Sequence, residues 1–270
     1  MGNDVVVKRR NFLEGITETR KGELLRALKA LWTHDSTAIE GNTLTLGDTM
    51  AVLEYGLTVK GKPLKDHLDV VSHGRAVDFI RKLSECGQVT EEDLFKLHRL
   101  TVSDDQGDIY RPIGAWKRED NGTYGAEDGK CVYLAYASAD ETPQLMKIWL
   151  ADFRQLLDSC ASQDQALSAY VRAHVSFVRI HPFFDGNGRL ARLLGNLPVL
   201  LAGYPPIVIP AESRLDYIGC LWKYQRKVGP ISVSHPDLLP QKEELSAFTD
   251  LVRKSWQTTL DLVSAARERH

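Results

Sequence analysis

A chain of 270 residues is long enough for one large domain with a buried core, and 43% hydrophobic and 26% charged residues are ordinary for a globular protein. The 34 basic and 36 acidic residues nearly balance, which argues against nonspecific binding of nucleic acid or of an anionic membrane surface. The four cysteines are far apart and form no CxxC pair, so neither a disulfide framework nor a zinc site is expected.

The N-terminal segment and the most apolar stretch both argue against export or a membrane span. In the first ten residues, MGNDVVVKRR, the charges follow the apolar run, which is the reverse of a secretory signal. The stretch LLGNLPVLLAGYPPIVI at 193–209 contains Asn196 and three prolines, so we interpret it as core. We therefore expect a cytoplasmic protein.

Helical periodicity dominates the chain. Leucines and Trp32 at spacings of three and four predict a helix over 22–32, and Thr45 and Gly56 bound the next one. Amphipathic patterns predict further helices over 65–83 and 90–100, and Thr90 caps the second of these.

The segment 107–141 is different, because it is rich in glycine and contains two strand-like runs, GAWKRE (114–119) and KCVYLAY (130–136). It predicts a β-hairpin with a long loop. Helices are expected to resume over 142–160 and 166–180, and one or two more follow the proline-containing break in the C-terminal tail. The predicted fold is mainly α.

The stretch HPFFDGNGRLAR at 181–192 combines residue types that packing alone does not require. His181 follows the predicted helix 166–180, and Pro182 prevents further regular turns. DGNG predicts a tight turn into a new helix, whose free N–H groups and positive dipole end favour an anion. Gly186 and Gly188 allow the backbone to approach that anion closely.

The charged residues around this turn fit phosphate chemistry. Arg189 and Arg192 lie three apart on the first turn, where both guanidinium groups could bind phosphate oxygens. Asp185 offers a hard oxygen ligand suited to Mg²⁺, and histidine is the residue type here, at His181, whose usual pKa suits general base catalysis near pH 7. Each element alone is more often structural, but their conjunction predicts phosphoryl or nucleotidyl transfer.

The stretch matches in full the signature of the Fic domain, H-x-F-x-D/E-G-N-G-R-x-x-R, and the chain resembles the Fic branch that transfers AMP from ATP to protein hydroxyls. Gly188 stands where Doc-type kinases have a lysine. The segments LHRL (97–100), GDIYRPIGAWKRE (107–119) and AGYPP (202–206) extend the likeness over roughly residues 20–230. It implies a Fic-fold helical bundle with a small β-hairpin flap at about 107–141. Three regions are expected: an N-terminal helical region (1–85), a catalytic core (86–230) and a C-terminal helical extension (231–270).

The resemblance also implies residue roles. His181 would deprotonate a Ser, Thr or Tyr hydroxyl of a target protein or of the protein itself, and Asp185 would hold Mg²⁺ on the α- and β-phosphates. Tyr217 would lie beside adenine, although Ile218 follows it where the family often has a second tyrosine. The other nucleotide-binding residues would be Gly186, Asn187, Gly188, Arg189 and Arg192, with the side chain of Asn187 near the α-phosphate. An edge strand at Ala115, Trp116, Lys117 and Arg118 would dock the target segment by strand addition.

A second stretch, STAIEGN at 36–42, fits the inhibitory pattern S/T-x-x-x-E-G/N of the same family. Ser36 and Glu40 are four apart, on one face of a short predicted helix that Gly41 can end. The resemblance implies that Glu40 pairs with Arg192 in place of the γ-phosphate, so that ATP binds unproductively.

Three interpretations of the chain remain open. It could be an AMP transferase restrained by Glu40, an enzyme in which Glu40 orients water to remove AMP from a modified protein, or a nucleotide-sensing module without catalysis. The expected partners are ATP and a protein substrate, with no nucleic acid and no membrane. The oligomeric state is left open, and a homodimer is one option.

Overall fold

The computed structural model describes residues 10–102, 111–158 and 160–268. Within these ranges the chain forms nine α-helices, one 3-10 turn at Ala211–Ser213 and one two-stranded sheet, which confirms the mainly α prediction. The elements in chain order are α1 (Glu18–Ile39), α2 (Leu46–Tyr55), α3 (Leu64–Cys86), α4 (Glu91–Thr101), β1 (Gly122–Glu127), β2 (Lys130–Ala135), α5 (Thr142–Asp158), α6 (Gln163–Ile180), α7 (Asn187–Leu201), α8 (Arg214–Val228) and α9 (Glu244–Glu268).

Local sequence signals determine several helix ends. Thr45, Thr90 and Ser162 each cap a helix in a reciprocal capping box, in which the third helical residue returns a hydrogen bond to the cap. Gly56 ends α2 in the left-handed conformation. The N-terminal helix is longer than predicted, because α1 continues through Ser36 to Ile39.

Helix α7 lies at the centre of the molecule. From Asn187 to Val199 every residue except Gly188 is buried, as expected for a helix surrounded by others. It packs mainly against α6 and α3 and also contacts α1, α4 and α5. The largest apolar cluster extends from Trp32 to Leu238, so all three of the expected regions contribute to one core.

The predicted hairpin forms, but its first strand is not GAWKRE. Strand β1 is Gly122–Glu127, and it pairs antiparallel with β2 from Gly122↔Ala135 to Glu127↔Lys130. The segment 114–119 is irregular because its groups are used elsewhere: Trp116 packs on Phe95 and Phe183, and Lys117 is buried. Residues 107–110, where the flap was expected to begin, lie outside the described residues.

Among the described residues, no helix is both long enough and apolar enough to cross a bilayer. The apolar stretch 193–209 belongs to α7 and the chain just after it, and Leu193, Leu197 and Ile209 are buried there. The four cysteines, all among the described residues, form no disulfide bond.

Three core histidines connect pH to folding stability. His73, His98 and His174 are essentially inaccessible, and burial is the main cause of their lowered pKa values. The pKa of His98 falls to about 4, and those of His73 and His174 fall well below the ordinary value of 6.5.

We expect the free energy of unfolding to decrease as the pH falls from 7.5 to 5. The unfolded chain takes up protons near pH 6.5 while the folded chain does not, so each neutral histidine costs about 1.4 kcal/mol per pH unit below that value. Urea unfolding at both pH values measures the effect, and the His73→Gln variant should show a smaller pH dependence. Equal pH dependence in the variant and the wild type would contradict this assignment.

Candidate active site

Seven residues of the 181–192 stretch line one cavity of about 240 Å³. Its walls come from the end of α1, the hairpin, the α6–α7 turn and α8. The lining residues include Ile39, Glu40, Thr123, Tyr136, His181, Asp185, Gly186, Asn187, Gly188, Arg192, Tyr217, Ile218, Leu221 and Trp222.

His181 ends α6 in the left-handed conformation, with φ 51°. Its Nδ1 lies 3.2 Å from the carbonyl oxygen of Val178, and its ring stacks on Tyr136 with 3.9 Å between centroids. Burial and, secondly, the charge of Lys117 lower the pKa of His181 to about 3. The ring is therefore neutral at pH 7. When Nδ1–H donates to Val178, Nε2 is the proton acceptor.

The turn after His181 presents the beginning of α7 to the cavity. Gly186 has φ 78°, and a Cβ there would lie 2.8 Å from Val102. The first N–H groups of α7 have no partner within the helix, so they are suited to an anion. The Asn187 side chain accepts from the N–H of Phe183 at 3.0 Å and donates to its carbonyl at 2.8 Å. These two hydrogen bonds close the turn, and Asn187 lines the cavity.

Arg192 lines the cavity as a buried cation, and its side chain is only 3% exposed. Its Nη2 donates to Glu40 Oε1 at 2.6 Å and to the Ser36 carbonyl at 2.9 Å, and its Nε donates to Ser36 Oγ at 3.0 Å. Its Nη1 donates to Tyr217 at 3.2 Å. A Cβ on Gly188 would lie 2.8 Å from Glu40 Oε1, so the absence of a side chain there makes room for this pair.

The chain matches the Fic/DOC family over residues 88–199, a range that includes the whole of 181–192. A crystal structure of a Fic-domain-containing signalling protein from Bacteroides thetaiotaomicron is similar, with a TM-score of 0.78 and 26% identity, covering 94% of this chain and 93% of that one. This chain belongs to the Fic/DOC family.

Curated relatives share this Fic region. The protein adenylyltransferase fic-1 of Caenorhabditis briggsae is 33% identical over 201 residues, which cover 73% of this chain and 37% of that protein. The protein adenylyltransferase Fic of Drosophila virilis is 32% identical over 215 residues, covering 78% and 41%. A solved structure of Fic-1 from C. elegans has a TM-score of 0.70 at 26% identity, covering 94% of this chain and 68% of that one. The chain spans about two fifths of the length of the curated relatives it matches.

Within the Fic motif, the structure directs Arg189 away from the cavity. Its Nη1 donates to the Thr101 carbonyl on α4 at 2.9 Å, and its Nη2 lies 3.2 Å from Asp185 Oδ2. Of the two arginines expected from the sequence to face the phosphates, Arg192 lines the cavity and Arg189 does not. Arg189 instead ties the Asp185 turn to α4.

Asp185 lies at the cavity mouth, and its side chain is 67% exposed. No group of three or more His, Cys, Asp or Glu side chains forms a metal site among the described residues. Mg²⁺ commonly binds through one or two carboxylates together with substrate phosphates. The single carboxylate of Asp185 fits a cation of that kind, which arrives with a nucleotide.

Sequence reasoning missed several residues of this Fic site. Tyr136 stacks on His181, and His174 Nε2 lies 3.0 Å from the Tyr217 hydroxyl that faces Arg192. Trp222 lines the cavity from α8 and contacts the hairpin so closely that a Cβ on Gly125 would overlap its indole ring. Only the aromatic character of KCVYLAY hinted at one of these contacts, because the others join distant parts of the chain.

Proposed function

We propose that this Fic protein transfers AMP from ATP to a hydroxyl side chain of a protein, which is a target or the protein itself. One observation carries the proposal: a neutral histidine, a helix N-terminus and a buried arginine border the same cavity. The names of the curated relatives, which are protein adenylyltransferases, support the same reaction class.

In this proposal the backbone N–H groups at Asn187 and Gly188 bind the α-phosphate, since they have no partners within α7. Arg192 binds the outer phosphates once Glu40 has left it. The adenine base of ATP lies against the apolar side chains of α8, among them Leu221 and Trp222.

His181 then takes the proton of the acceptor hydroxyl at Nε2. The hydroxyl oxygen forms a bond to the α-phosphorus in line with the leaving group, the bond from that phosphorus to the bridging oxygen breaks, and pyrophosphate leaves. Asp185 is the residue that would hold Mg²⁺ against the phosphates, and the bound cation would neutralise part of their negative charge.

We assign the inhibitory role to Glu40. Its carboxylate occupies the guanidinium of Arg192, the group that would otherwise bind an outer phosphate. Ser36 accepts from the same guanidinium with both its carbonyl and its hydroxyl, so the last turn of α1 binds the edge of Arg192 formed by Nε and Nη2.

Target docking is reassigned from residues 115–118 to strand β1. In the sheet of the described residues β1 pairs only with β2, which leaves its other edge for strand addition by a target segment. The exposed Tyr124 and Tyr133 lie opposite each other on the hairpin and offer an aromatic contact beside that edge.

The test is incubation of the Glu40→Gly chain with Mg²⁺ and ATP labelled on either the α- or the γ-phosphate. AMP transfer predicts incorporation of the α-label alone, and intact mass spectrometry should show the gain of one AMP. Incorporation of the γ-label would indicate phosphoryl transfer. ATP binding without any incorporation into the chain or an added lysate would favour the nucleotide-sensing module. Release of AMP when the wild-type chain, which keeps Glu40, is incubated with a modified target would favour the removal reaction.

A further inference from the structure

The segment from Ile180 to Phe183, here called the catalytic loop, carries four consecutive backbone carbonyls at the end of α6. A helix end leaves its last carbonyls without intrahelical donors, and buried carbonyls require partners. Pro182 and Phe183 are buried. Two residues that precede the hairpin strands, Lys117 and Asn121, donate hydrogen bonds to all four carbonyls.

Lys117 donates to two of these carbonyls. Its backbone N–H reaches the carbonyl of Pro182 at 2.8 Å, and its buried Nζ reaches that of Ile180 at 3.2 Å. The same Nζ donates to the Ala137 carbonyl and to Asn121 Oδ1, each at 2.6 Å. Lys117 therefore joins the catalytic loop to the chain on both sides of the hairpin.

Asn121 donates to the other two carbonyls. Its Nδ2 lies 3.3 Å from the His181 carbonyl and 3.0 Å from that of Phe183. Because Lys117 donates to Oδ1, the amide of Asn121 is fixed with Nδ2 towards the loop. The Asn121 carbonyl in turn accepts from the N–H of Tyr136, whose ring stacks on His181.

These contacts matter because His181 has φ 51°, a left-handed conformation that a non-glycine residue keeps only where its surroundings enforce it. We propose that Lys117 and Asn121 are positioning residues for His181, which hold its backbone in the left-handed conformation and its ring against Tyr136. This inference rests on the proposed function only where it concerns activity. The geometry of the His181 ring can be measured without turnover.

The first measurement is the NMR spectrum of the histidine rings in the full chain, with His181 assigned by comparison with His181→Asn. Stacking on Tyr136 places the His181 ring protons upfield. We expect Asn121→Ala and Lys117→Met to shift them towards the free-histidine position, while the signals of buried His73 and His174 stay in place. Asp120→Ala is the matched control, because Asp120 accepts from Ala139 in the same segment without touching the loop carbonyls.

The second measurement is AMP transfer in the Glu40→Gly background. There we expect Asn121→Ala and Lys117→Met each to lower kcat by about 10- to 100-fold, while the KM for ATP changes less than about 3-fold. Unchanged His181 signals in folded Asn121→Ala, or an equal shift in Asp120→Ala, would overturn the inference. If Lys117→Met does not fold, Asn121→Ala decides alone. If the Glu40→Gly chain itself transfers no AMP, the proposed function fails and the ring signals still decide this inference.

Discussion

Replacing Glu40 with glycine raises AMP transfer by about 10- to 100-fold, because a charge-assisted hydrogen bond of roughly 1.5–3 kcal/mol no longer competes with the outer phosphate for Arg192. The pair is short, at 2.6 Å between Arg192 Nη2 and Glu40 Oε1. Glu40 follows the last residue of α1 and precedes Gly41, which has φ 98°, so glycine at position 40 leaves the helix itself intact. Initial rates with α-labelled ATP measure the effect.

Two variants separate charge from shape in that experiment. Glu40→Gln keeps an oxygen near Arg192 without the charge, so its rate should fall between those of the wild type and Glu40→Gly. Ser36→Ala removes only a neutral acceptor of Arg192 and should raise the rate less than either. Equal rates in the wild type and Glu40→Gly would remove the inhibitory role of Glu40.

Replacing His181 with alanine in the Glu40→Gly background lowers transfer by about 10²- to 10⁴-fold, the usual contribution of a general base. ATP binding should persist, because the helix N-terminus and Arg192 remain. His181→Asn is the control for backbone effects, since asparagine tolerates the left-handed conformation that alanine disfavours. Both variants should lose activity while calorimetry still detects ATP binding. Residual activity above a tenth in His181→Asn would contradict the assignment of His181 as base.

The lowered pKa of His181 also predicts the shape of the pH profile. A pKa of about 3 means that the neutral, proton-accepting form persists as the pH falls from 8 to 5. The kcat/KM of the Glu40→Gly chain, which reports on groups of the free enzyme, should therefore show no decline near pH 6.5 from this residue. A decline of kcat/KM centred at pH 6.5 would contradict the lowered pKa of His181 if it persists when each of the other histidines is replaced.

The sequence predicted the elements that local rules control. Pro182 and the glycines of DGNG marked the boundary between α6 and α7, and Thr45 and Thr90 marked helix starts that the structure shows as capping boxes. These signals act within four residues, and for that reason periodicity and capping preferences were sufficient.

Contacts between residues distant in the sequence could not be predicted from these local signals. Ser36 and Glu40 are more than 150 residues from Arg192 in the chain; the resemblance to the Fic family suggested the contact of Glu40, and no signal suggested that of Ser36. The run GAWKRE has the composition of a strand, but the backbone N–H of Lys117 donates to Pro182 and its Nζ donates to Ile180, both at the distant end of α6. The direction of Arg189 similarly depends on Thr101, which lies on another helix.

The position of Glu40 at the end of a buried helix determines how its contact with Arg192 can be released. Helix α1 buries Leu24, Leu28, Trp32 and Ile39, so it cannot leave without disrupting the core, whereas the Glu40 side chain is 42% exposed. Release therefore needs only rotation about side-chain bonds, which takes place in picoseconds to nanoseconds for exposed residues. The degree of inhibition is then set by the ratio of two side-chain populations, one with Glu40 on Arg192 and one with Glu40 rotated away from it. The wild-type chain should be a slow enzyme with a measurable basal rate, and a partner that binds the exposed face of the carboxylate would adjust that rate continuously.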